Sequence, residues 1–150
     1  MTTIELLGMQ HADVLTQLTS VEATLATNNH ADLSAFATYL EHDIAQHFTI
    51  EEDALFPLLE RSLGLQQGPL AVMLAEHEEF RALVQALRDA VQAANHEAQR
   101  VHARAVIELL RGHIAKEDHV LFPMALRILN ADELVEVDRR AGDQQASAAR

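Results

Sequence analysis

Histidine recurs in this chain at a fixed interval and with a fixed companion. His11 and His77 lie 66 residues apart, as do His47 and His113, and as do Glu51 and Glu117. The stretches HFTIEEDALFP, from His47, and HIAKEDHVLFP, from His113, each place a glutamate four residues after the histidine and close on Leu-Phe-Pro. On a helix that offset sets imidazole and carboxylate on one face, one turn apart. Imidazole nitrogen and carboxylate oxygen are donors that first-row metal ions accept. The chain has no cysteine, which excludes disulfides, thiolate nucleophiles, zinc fingers and thiolate-held clusters.

The elements carrying these residues read as helices. Only five glycines and three prolines interrupt a chain rich in strong helix formers, and no alternating β-branched run suggests a sheet. Apolar residues at three- and four-residue intervals predict a first helix from about Thr3 to Thr27, broken by Asn28-Asn29. A second is expected from near Asp32 to Leu63, a third from Pro69 to a break at Asn95, and a fourth from about Glu97 to Ile128, its stripe including Val101 and Leu126. Asn130 can cap a short fifth helix over 131–140, and 141–150 reads as a disordered tail beyond a single domain of 1–140. Four long amphipathic helices with short connections predict an all-α, up-down-up-down four-helix bundle. A single long coiled coil is excluded because the breaks come too often for any heptad to persist.

Within each copy of the repeat the two histidines are 36 residues apart, and their midpoints, residues 29 and 95, are the predicted turns. At about 1.5 Å of rise per residue, positions 18 before and 18 after a tight turn share one height, roughly 27 Å from it. Two facing hairpins therefore bring His11, His47, His77 and His113 to one level with Glu51 and Glu117. This set suits two metal ions: His11 and His47 on one, His77 and His113 on the other, the glutamates bridging. Iron is the first expectation, with Mn, Zn or Co able to use the same donors. Solvent, a bridging oxo or hydroxo group, or a small exogenous ligand completes the coordination.

Other histidines do not fit this geometry. His30 and His96 keep the 66-residue interval but lie at the turns, where they read as solvated or capping residues. His42, His102 and His119 have no histidine at that interval and read as surface residues, with His119 a reserve ligand. Glu52, the Glu78-Glu79 pair, Arg61 and Arg81 read as solvated-face material. Leu55, Phe56, Leu121 and Phe122 read as core packing, and Pro57 and Pro123 should kink or end their helices because neither can donate to the carbonyl four residues back.

The series His11, His47-x3-Glu51-Glu52-x2-Leu-Phe-Pro, Glu76-His77, His113-x3-Glu117-x3-Leu-Phe-Pro resembles the hemerythrin-like, or HHE cation-binding, domains over roughly residues 5 to 128. The resemblance implies a four-helix bundle around a non-haem di-iron centre. Ferritin-like bundles instead use Glu-x2-His, and no glutamate here has histidine at its third position. Two departures stand out. Oxygen-carrying hemerythrins have a further histidine where this chain has Arg81, which, pointing inward, would occlude an open position or hydrogen-bond an anion. They also take the second bridge from the position of Asp118, whereas the internal repeat favours Glu117. Four histidines rather than five bring the match nearer to the subgroup associated with iron-centre repair, nitric oxide and peroxide chemistry.

Three functions follow: binding of O2 or NO for storage, sensing or scavenging; an enzyme consuming peroxide or reducing NO; and iron storage or delivery to damaged iron centres. The expected partner is a small diatomic ligand or peroxide. With 23 acidic against 11 basic residues, a net charge of -12 opposes the counterion release on which nucleic-acid binding depends, and anionic membranes are equally unsuited. MTTIELLGMQ has no positive n-region, and the chain has no run of 18 uncharged apolar residues, so it reads as cytoplasmic, with a monomer favoured.

Overall fold

The computed structural model describes residues 1–148. They form five helical rods, with no strand among the described residues. Helix α1 spans Thr3–Thr27 and opens on a reciprocal cap: Thr2 Oγ1 accepts from the Glu5 amide at 3.2 Å, and the Glu5 carboxylate accepts from the Thr2 amide at 2.9 Å. Helix α2 covers 34–63, α3 is Pro69–Gln92, α4 covers 96–128, and α5 is Ala131–Ala148. Asp32 lies just outside α2, its carboxylate accepting from the Ser34 amide. Asn95 caps α4 through the Ala98 amide, and Asn130 and Glu133 cap α5 reciprocally.

Helices α2 and α4 do not end at their prolines. A π turn, Glu51–Leu55, precedes Phe56–Leu63 in α2, and a second, Glu117–Leu121, precedes Phe122–Ile128 in α4. In each the phenylalanine amide reaches back five residues, to the carbonyl of Glu51 or of Glu117. The wider turn falls just before the proline, which withholds one ladder donor, and the helix continues beyond it. A third π turn, Leu40–Ile44, lies earlier in α2.

The rods pack α3 along α4, α1 on α4, the start of α2 on α3, and α5 across the middle of α2. Two apolar clusters fill the interior. The first, towards the turns, contains Leu18, Leu25, Phe36, Phe80, Leu87 and Leu110. The second contains Leu7, Leu55, Phe56, Leu59, Leu121 and Phe122, so the Leu-Phe-Pro residues are core. Val101 and Leu126, expected on the buried stripe, are instead 59% and 52% exposed. Helix α5 also runs past the expected stop at 140 as far as Ala148, since Val137 and Ala141 are buried and Arg139 bridges to Asp143 at 2.9 Å. The rest of the expected tail, 149–150, lies outside the described residues. No helix among the described residues is long and apolar enough to cross a membrane.

Candidate metal centre

Between the two apolar clusters lies a polar one. His11, His47, Glu51, His77, His113 and Glu117 are all buried. Three rods supply the set with α1: α2 gives His47 and Glu51, α3 gives His77, and α4 gives His113 and Glu117. His11 Nε2 stands 3.2 Å from His47 Nε2 and 3.1 Å from Glu117 Oε1. His77 Nε2 stands 3.2 Å from Glu51 Oε1, and His113 Nε2 3.4 Å from Glu117 Oε1. Each carboxylate reaches both histidine pairs, for Glu51 also lies 3.6 Å from His47 Nε2 and Glu117 serves both His11 and His113. The structure thus brings all six sequence-predicted residues together. Two groups of donors can each hold a cation: His11, His47, Glu51 and Glu117, and Glu51, His77 and His113.

Several of these atoms satisfy nothing within the protein. Both oxygens of Glu51, Nε2 of His77 and His113, and Oε2 of Glu117 are buried without a hydrogen-bond partner in good geometry. An unpaired buried polar atom is costly, and five facing one small volume fit a cation that collects their lone pairs.

Protons partly occupy the cluster when no cation does. Burial, and then the charge of neighbouring Glu117, raise the Glu51 carboxyl well above the ordinary carboxylate range. Burial opposes ionisation of Glu117 too, but the adjoining Glu51 carboxyl and the imidazoles of His11, His113 and His47 outweigh it and hold Glu117 well below that range. Burial alone would lower His113; the carboxylates of Glu117 and Glu51 raise it to about 10. His77 is lowered to about 4 by burial and by the charge of His113. The site without a cation therefore favours a proton on His113, opposes one on His77 and resists ionisation of Glu51.

Each imidazole presents Nε2 inward because its Nδ1 is held from outside. Asp118 takes His11 Nδ1 at 2.7 Å, Glu52 takes His77 at 2.8 Å, Gln10 takes His47 at 2.8 Å and Glu76 takes His113 at 3.0 Å. Such outer partners fix the tautomer and aim of a histidine that ligates metal. Sequence reasoning missed this role for all four, although the signal was there. Gln10 and Glu76 are 66 residues apart, as are Glu52 and Asp118, each adjoining a residue of the inner set. Glu52 is thereby corrected from solvated-face material. Asp118 takes an outer position, while Glu117 faces the inward nitrogens. Arg81 points away from the cluster, its side chain 45% exposed, and bonds Glu52 at 2.5 Å and Glu78 at 2.6 Å; it occludes no inward position.

Aromatic rings wall the cluster. Phe122 stacks on His11 and Phe56 on His77, again residues 66 apart on residues 66 apart. Phe48 stacks on the other face of the pair's second member, its ring centroid 3.7 Å from that of His77. A cavity of about 10 Å³ adjoins His11, His47 and His113, walled by Val14, Ile44, Phe48, Leu110 and Ile114. Outside it, a groove of about 740 Å³ runs between α1 and α2 beside Ala148 at the end of α5, with Gln10 and His47 among its lining residues. Of the remaining histidines, His42 and His119 are exposed, and His30 and His96 meet edge to face at 5.4 Å by the turns, a contact their spacing alone did not suggest.

The helical rods and the buried histidine-carboxylate cluster define an all-α protein of the cation-binding class. The chain belongs to the hemerythrin family: residues 2–125 match the hemerythrin HHE cation binding domain. It is 31% identical over 133 residues to iron-sulfur cluster repair proteins YtfE of Salmonella newport (strain SL254) and Salmonella heidelberg (strain SL476), covering 78% of this chain and 60% of each relative. The chain thus spans less than two thirds of those relatives' length. No solved structure matches it.

Proposed function

We infer that His11, His47, Glu51, His77, His113 and Glu117 hold two iron ions, the two glutamates bridging them, in a centre that takes up a small ligand such as O2 or NO. The observation that carries this reading is the convergence of five unpartnered buried donor atoms, with a small, otherwise apolar cavity adjoining His11, His47 and His113. Iron bound there supplies an electrophilic, redox-active position for a diatomic or peroxide. The chain's own part is to orient four imidazoles through Gln10, Glu52, Glu76 and Asp118, to bring two carboxylates between them, and to keep bulk water out with Phe48, Phe56 and Phe122. The rods form an up-down-up-down bundle in this reading, acting in the cytoplasm as a monomer.

A second reading, delivery of iron to damaged iron centres, is favoured by the likeness to iron-sulfur cluster repair proteins. One experiment separates the two. Protein loaded anaerobically with ferrous iron is analysed for metal, then exposed to O2 or NO while its visible spectrum is recorded, and finally mixed with an apo iron-sulfur protein. Two irons per chain and reversible ligand bands support the first reading. Steady iron transfer without ligand bands supports the second, and retention of less than about one iron per chain sinks both.

A further inference from the structure

The two halves of the cluster match in their inner donors and differ in what holds them. On the His77 and His113 side both outer partners are carboxylates, and each is itself fixed by a cation: Arg81 on Glu52, and Lys116 on Glu76. His77 is further clamped between the rings of Phe48 and Phe56. On the His11 and His47 side, no cation among the described residues faces Asp118, which is 35% exposed. The partner of His47 is the neutral amide of Gln10, where the repeat puts Glu76 opposite His113. A neutral hydrogen bond is roughly half as strong as a charge-assisted one, and a carboxylate partner also strengthens the imidazole as a donor.

Access differs in the same direction. Gln10 and His47 line the groove between α1 and α2, while His77 borders neither that groove nor the small inner cavity. His47 is therefore the most weakly anchored of the four rings and the one nearest to solvent.

We propose that the two metal positions are functionally unequal: the His11–His47 position is an exchange port, from which a cation leaves or enters by way of Gln10 and the α1–α2 groove, and the His77–His113 position is the retained one. This rests on the two-ion reading above. The chemistry that would use it is transfer of a ferrous ion to an external acceptor of nitrogen, oxygen or sulfur donors, with the second ion left in place to keep Glu51 and Glu117 aligned.

The test uses the full chain loaded anaerobically with ferrous iron, mixed with excess of a ferrous chelator, and followed by the absorbance of the chelate. Metal content is measured first: fewer than two irons per chain refutes the two-ion reading and the port with it. With two bound, release should be biphasic, one iron per chain leaving at least about tenfold faster than the other. The mirror-image substitutions Gln10→Glu and Glu76→Gln then exchange the outer partners of His47 and His113. Gln10→Glu should slow the fast phase about tenfold and leave the slow one; Glu76→Gln should quicken the slow phase and leave the fast one. Should Gln10→Glu not fold, Gln10→Ala must quicken the fast phase. Release of both irons at one rate, or phases unmoved by these substitutions, overturns the unequal-halves assignment while the two-ion site stands.

Discussion

Glu52 accepts from His77 Nδ1 at 2.8 Å and is itself held by Arg81 at 2.5 Å, so a residue at the protein surface sets the aim of a fully buried imidazole. Removing the negative charge without changing the shape, by Glu52→Gln, should weaken metal binding about 10- to 100-fold with the helical content unchanged. Arg81→Ala should act in the same direction and more weakly, because Glu52 stays in place. Competition with a chelator of known affinity, alongside far-ultraviolet dichroism, reads both. Equal affinity in Glu52→Gln and the parent would leave Glu52 a surface residue only.

The inner donors should behave differently. Glu51→Ala removes a donor common to both groups, and His47→Ala one that belongs to the first group alone. Glu51→Ala should retain less than half the parent's metal and His47→Ala about half, whereas His119→Ala, at an exposed position, should retain all of it. Elemental analysis after gel filtration decides this, and an undiminished metal content in Glu51→Ala would remove it from the set.

Metal uptake should expel protons. His113, raised to about 10, is protonated at neutral pH in the metal-free protein, and Glu51 is shifted in the same sense. Binding needs both deprotonated, so affinity should rise with pH through the neutral range and acidification should release metal. Metal-free stability runs the other way for these two groups. The folded His113 pKa lies above the unfolded value of about 6.5, so its contribution is complete below that pH and fades as pH climbs through about 10. His77 opposes this on the acid side: lowered to about 4, it costs stability as pH falls from about 6.5 to 4. Calorimetric titration in buffers of different ionisation enthalpy counts the protons released. A binding heat independent of the buffer would contradict the protonation pattern.

The small cavity beside His11, His47 and His113 offers a way to separate metal from ligand. Its volume, about 10 Å³, is near the least that holds one water molecule. Ile44→Phe should fill it and slow NO or O2 binding to the iron-loaded protein by at least about tenfold while metal content holds. Leu110→Ala should enlarge it, at a cost of about 2–5 kcal/mol in unfolding free energy, and should not slow binding. Stopped-flow spectroscopy with denaturant unfolding checks the pair. Unchanged ligand kinetics in Ile44→Phe would place ligand entry elsewhere.

Bound metal should also raise the melting temperature, because only the folded chain gathers donors from four rods. At free metal about 100 times the dissociation constant the gain is about 2.7 kcal/mol. Scanning calorimetry with and without ferrous ion reads it. No shift would mean that the folded chain binds the ion no more tightly than the unfolded one.

Much of the centre was legible in the sequence because its two halves repeat at 66 residues and because helical rise is constant. Those two regularities put His11, His47, His77 and His113 at one height and Glu51 and Glu117 one turn from their histidines. Helix limits at Thr27, Leu63, Pro69 and Ile128 followed from turn residues and apolar period. What periodicity could not supply was rotation about the helix axis relative to a neighbour. Whether Glu52 and Glu76 meet water or an imidazole depends on which rod stands beside them. So does the outward turn of Arg81 to Glu52, and the choice of Asp118 for an outer place and Glu117 for an inner one. The π turns at Glu51 and Glu117 belong to the same class: proline announced a broken ladder bond, but only continued packing of Leu59 and Ala125 beyond it carries the helix onward. Repeat and rise, both local to one chain direction, determined which residues share a level; contacts between rods, which no single helix encodes, decided which of them face the centre and which hold the others in place.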